Sequence, residues 1–90
     1  MTSFREDLEI RLKNPEFAKE YEKLTIEKEL VKLIIRTRNE AGMTQKELAE
    51  RTGIRQSNIS RIESGSSSPR IDTLRKIAEG LGKQLVVQFK

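Results

Sequence analysis

The stretch T44-Q-K-E-L-A-E-R-T-G-I-R-Q-S-N-I-S-R-I-E-S-G65 decides the fold of this 90-residue chain. Thr44 followed by Glu47 has the form of a capping box and opens a helix over about residues 45–51, with Leu48 and Ala49 inward. Gly53 then makes a turn, and residues 56–64 suit a second helix with Ile59 and Ile62 on its inner side. Two helices crossing at roughly 90 to 120° through a short turn need a small side chain at their contact and a glycine between them. They also need apolar residues that lock the second helix on the first. Ala49, Gly53 and Ile59 fall at those positions, and Leu48, Ile54 and Ile62 complete the core. Taken alone, this pattern fits a purely structural corner equally well.

The outward face of the second helix separates a reader of nucleic acid from a corner. Gln56, Ser57, Ser60 and Arg61 are not needed for the core. Gln and Arg are the side chains able to make paired hydrogen bonds to adenine and guanine edges, whereas a plain solvated helix is richer in Glu and Lys. The expectation is a helix lying in the DNA major groove, with Gln56, Ser57, Arg61 and Ser60 towards the bases. Lys46, Arg55 and Arg70 are the cations expected on phosphates. Arg55 stands where a helix N-cap hydroxyl would contribute roughly 1 kcal/mol. Two uses are open for it, a clamp on the DNA or an ordinary exposed arginine, and Arg70 raises the same choice.

Downstream, residues 65–69 read as a connecting loop. Residues 71–81 form a helix with Leu74, Ile77, Ala78 and Leu81 in register, closed by Gly80 or Gly82. The period then changes: Leu85, Val87 and Phe89 alternate with Val86 and Gln88, as in a strand. No second strand candidate exists in the chain, so its partner should come from a second copy, the alternative being an unpaired tail packed on the helices. Leu85, Val87 and Phe89 are thus the candidate dimerisation residues.

Upstream, Thr25 can cap a helix over about residues 26–41 whose apolar face carries Leu30, Val31, Leu33, Ile34 and Ile35, and Gly42 is placed to end it. Before it, Ser3 with Glu6 forms a first capping box, followed by a short helix over residues 4–13. Asn14-Pro15 then opens another helix. Phe4, Leu8 and Leu12 make a narrow stripe, and Phe17, Tyr21 and Leu24 share a face. Phe4, Leu8, Leu12, Phe17 and Tyr21 are either a surface for a partner protein or extra core folded back on residues 26–41.

Composition narrows the function class. The chain has no Cys and no His, which removes disulfides, the common zinc sites and the usual general acid and base near neutral pH. No glycine-rich phosphate loop or metal-ligand spacing is present, so neither an enzyme, a cofactor nor a metal is expected. Charged residues make up 36 %, above the usual ~25 %, and the apolar fraction is 34 %, so the core should be thin. Residues 1–43 hold nine basic and nine acidic side chains, whereas residues 44–90 hold nine against five and carry the whole net charge of +4. A basic excess confined to the half with the two-helix motif fits phosphate binding. No membrane span or signal peptide is visible, which makes the cytoplasm the expected location.

The run Q-x-x-L-A-x-x-x-G-I-x-x-x-x-I-S-x-I-E-x-G over residues 45–65 resembles the helix-turn-helix of Xre/Cro-type phage and bacterial repressors. The resemblance implies an all-α, lambda-repressor-like bundle. Its parts would be an N-terminal helical extension (1–25), the DNA-binding domain (26–82) and a C-terminal strand (83–90) pairing across a dimer. It further implies that Gln45 binds phosphate at a helix N-terminus, that Gln56, Ser57 and Arg61 face bases, and that Asn58 lies near the DNA backbone. The opening LKNPEFAKEYEKL and the ending LGKQLVVQFK are similar to those of HigA-type antitoxins, and the terminal strand to that of HipB-type ones. That family resemblance implies a homodimer on an inverted-repeat, double-stranded operator. It also implies a partner toxin of the RelE/HigB kind, held inactive. A free-standing repressor without a toxin, and an adaptor that uses the domain only to bind protein, are the two alternatives.

Overall fold

The computed structural model describes residues 4–90, with side chains from Leu8 onward. Among these described residues five helices follow one another: α1 (Phe4–Leu12), α2 (Pro15–Glu40), α3 (Gln45–Thr52), α4 (Gln56–Glu63) and α5 (Ile71–Gly80). The helical bundle expected from the sequence is present. Two of the starts, those of α2 and α3, have a side-chain cap. Asn14 Oδ1 accepts from the Glu16 amide at 3.0 Å, with Pro15 at the first helical position of α2. Thr44 Oγ1 accepts from the Glu47 amide at 3.1 Å and donates to the Glu47 carboxylate at 3.2 Å, so this capping pair closes through the hydroxyl.

Two expectations are corrected. The break at Thr25 is absent, and residues 15–40 form one 26-residue helix, about 39 Å long at 1.5 Å per residue. Thr25 caps nothing; its hydroxyl donates to the Tyr21 carbonyl one turn back at 2.8 Å, which a threonine inside a helix can do. The C-terminal strand is also absent: no strand occurs among the described residues, and residues 83–90 carry no regular structure. A strand needs a neighbour for its amides and carbonyls, and none of the described residues supplies one. The Ser3 capping box lies outside the described residues.

The core joins α2 to α5 through Ile34, Leu48, Ile59, Ile62, Ile77 and Leu81, with Leu30, Met43, Ala49, Ile54 and Leu74 packed around them. Leu48 and Ile59 are fully buried. Each such side chain contributes about 1.5 to 3 kcal/mol, so six make the thin core expected of so polar a chain. The first turns of α2 extend away from this core, and α1 packs back on them. Among the described residues, no helix is long and apolar enough to cross a membrane.

Candidate nucleic-acid interface

The geometry of the α3–α4 pair is set at its turn. Gly53 sits at φ 75°, where a side chain would be strained, and its amide bonds back to the Ala49 carbonyl at 2.9 Å. Thr52 Oγ1 donates to the Leu48 carbonyl at 2.8 Å and accepts from the Ile54 amide at 3.2 Å, which fixes the exit from α3. Three residues later α4 begins, and Ile59 and Ile62 anchor its inner side.

That anchoring leaves Gln56, Ser57, Asn58, Ser60 and Arg61 exposed. The four expected base readers therefore stand on an accessible surface of one helix. Lys46 is exposed on the first turn of α3, next to α4 in the fold. Arg55 and Arg70 occupy the N-cap positions of α4 and α5, and neither makes a side-chain cap bond. Both line one cleft of about 420 Å³ with Asn58, Ser68, Thr73 and Lys76. Two uncapped helix starts and their arginines thus meet in a single basic recess, a setting that favours an anion. Sequence reasoning missed Lys76 and Thr73. Their spacing in α5 shows that they face away from the core but not what they approach.

A second missed feature underlies this surface. Arg38 donates from Nε to Glu63 Oε2 and from NH2 to Glu63 Oε1, both at 2.8 Å, and from NH1 to the Met43 carbonyl at 2.8 Å. The paired bond to Glu63 raises the pKa of the guanidinium above its ordinary value, against the opposing effect of burial. Gln45, the first residue of α3, is half-buried and donates from Nε2 to Glu63 Oε1 at 3.2 Å. The residue expected on phosphate is thus held from inside by a carboxylate.

The five N-terminal candidates are placed differently. Leu8, Leu12 and Phe17 are half-buried in the α1–α2 hairpin, whereas Tyr21 is exposed; the Phe4 side chain lies outside the described residues. Phe17 and Tyr21 stack with ring centroids 6.3 Å apart, and the Arg11 guanidinium lies 5.9 Å from the Phe17 centroid. Ile10, Leu24 and Ile26 are the large apolar side chains this hairpin leaves most exposed. Sequence reasoning singled out none of the three as a contact residue. In the tail Leu85 is half-buried, Val87 is exposed and Phe89 is 97 % exposed.

Comparison with known proteins agrees with this geometry. The family described as helix-turn-helix matches residues 34–87. An uncharacterised HTH-type transcriptional regulator of Haemophilus influenzae is 40 % identical over 58 residues, covering 64 % of this chain and 59 % of the relative. One from Methanothermobacter thermautotrophicus is 42 % identical over 52 residues, covering 58 % of this chain and 75 % of the relative. This chain thus spans less than two thirds of the Haemophilus protein. A solved structure described as a toxin-antitoxin module from Streptococcus pneumoniae aligns over 100 % of this chain and 96 % of its own, with TM-score 0.68 and 32 % identity.

Proposed function

Because the chain belongs to the helix-turn-helix family of DNA-binding transcriptional regulators, which are not enzymes, we propose that it represses its own operon as the antitoxin of a toxin-antitoxin pair. The observation that carries the DNA half is the α4 surface: four side chains suited to base edges stand exposed on a helix whose other side is locked in the core. Gln56, Ser57, Ser60 and Arg61 read bases. Gln45, Lys46, Arg55, Asn58 and Arg70 hold phosphates, with the basic recess of Arg55 and Arg70 taking one of them.

The antitoxin half rests on the similarity to the Streptococcus pneumoniae module, which extends over the α1–α2 hairpin and the tail as well as the helix-turn-helix. In this reading residues 1–25 contact a RelE/HigB-like toxin, residues 26–82 bind DNA, and residues 83–90 join two copies through Leu85, Val87 and Phe89. Two recognition helices about 34 Å apart then meet an inverted-repeat operator. A second reading, a free-standing repressor, is favoured by the two curated relatives, whose names mention regulation alone.

A titration against the chain's own upstream DNA and a scrambled duplex, each at two salt concentrations, tests the DNA half. Selective binding that weakens steeply with salt is expected. Binding to neither duplex would favour the protein-binding adaptor. Co-expression with the product of the neighbouring gene tests the other half: a stable complex that silences a small basic toxin is expected, and the absence of any such gene leaves the free-standing repressor.

A further inference from the structure

An acidic side chain directly beneath a phosphate-binding surface needs a reason. Glu63 ends α4 and its side chain is 5 % exposed, yet it receives Nε2 of Gln45, one of the residues assigned to phosphate. We infer that Glu63 is a positioning residue for DNA binding, acting through Gln45, and that Arg38 is the counter-charge that lets it stand there. This rests on the DNA-binding reading above.

The bonding is fully specified. Three donors converge on the two carboxylate oxygens: Arg38 Nε on Oε2, and Arg38 NH2 and Gln45 Nε2 on Oε1. A carboxylate accepts at both oxygens and satisfies all three. Gln45 carries two N–H groups on that one nitrogen. With one committed to Glu63 the carboxamide plane is fixed, and the other N–H is left to donate to a phosphate. Without Glu63 the side chain is a flexible chain at a helix start, and a phosphate must order it on binding. The same guanidinium donates to the Met43 carbonyl, immediately before the Thr44 cap, so main chain and side chain of the α3 start are held by one ion pair.

Glu63→Gln is the discriminating change, because an amide offers one acceptor oxygen against three converging donors. Binding of Gln45→Ala, Glu63→Gln and the double variant is measured on the upstream duplex and on a random duplex, at a temperature where far-UV circular dichroism shows each to be folded. Each single variant is expected to bind about tenfold more weakly, equally on both duplexes, because a phosphate contact carries no sequence information. The double variant should be no more than about twofold worse than the weaker single. Losses that multiply, or a single variant that binds as the native protein does, overturn the inference. Native protein that shows no salt-sensitive DNA binding sinks the DNA reading itself, an outcome distinct from multiplying losses. Should Glu63→Gln not fold, the Gln45 carboxamide protons in the NMR spectrum of the native protein decide. One proton shifted downfield by the carboxylate, with the other moving on addition of random duplex, supports the inference. Random-coil shifts in the free protein overturn it.

Discussion

Arg38 and Glu63, 25 residues apart, form a two-pronged ion pair that is 13 % and 5 % exposed at the side-chain level. It ties the last turns of α2 to the end of α4, and through Gln45 and Met43 it also holds the start of α3.

Breaking one side of this pair leaves a desolvated charge. Arg38→Met or Glu63→Met should each cost about 3 kcal/mol in urea unfolding, whereas the two combined should cost less than either alone. A double variant as damaged as the sum of the singles would refute the pairing.

Gly80 allows α5 to cross α3 closely. A Cβ there would lie 2.6 Å from Thr52 Cγ2, and the Thr52 hydroxyl is already committed to Leu48 and Ile54. Gly80→Ala should therefore destabilise by about 1 to 3 kcal/mol despite the better helix propensity of alanine. Thr52→Ser, which removes Cγ2 and keeps the hydroxyl, should relieve most of that loss. Thermal unfolding of the two singles and the double measures it.

Arg55 sets stability against DNA binding. As an N-cap it offers the first amides of α4 no side-chain acceptor, so Arg55→Ser should gain up to about 1 kcal/mol in stability. The same change should weaken binding to every duplex and reduce the salt slope by about one unit. Gln56→Ala and Arg61→Ala should instead cost about 1 to 3 kcal/mol on the operator and little on random DNA. Equal losses on both duplexes for all three variants would reverse these roles.

Asp72 offers a titration. The hydrogen bond from Arg75, assisted by the charge of Lys76, holds its carboxyl below the ordinary 3.8. A lowered folded-state value favours the folded chain above 3.8, and that contribution disappears as pH falls through the folded-state value. The Asp72 carboxyl carbon should titrate below 3.8 by NMR, and Arg75→Ala should move the midpoint up.

The tail gives a test of assembly. Val87 and Phe89 are 69 % and 97 % exposed, so the proposed dimer contact is uncovered in a single chain. Val87→Asp with Phe89→Asp should turn a dimer into a monomer in sedimentation and lower operator affinity, with the far-UV spectrum unchanged.

The sequence by itself determined the α3–α4 pair, its glycine turn, its inward Leu48, Ile59 and Ile62, and the outward Gln56, Ser57, Ser60 and Arg61. These follow from capping chemistry and helical period, both local properties. Only the tertiary structure decided the rest. Thr25 is an acceptable N-cap and an acceptable mid-helix residue, and local signals do not distinguish the two; the Tyr21 carbonyl takes its hydroxyl and α2 runs on. Periodicity identifies which side of a helix is polar, but not what that side meets. So the approach of Lys76 to Arg55 and Arg70, and the convergence of Arg38, Gln45 and Glu63 from three separate helices, arise only when the core brings those helices together.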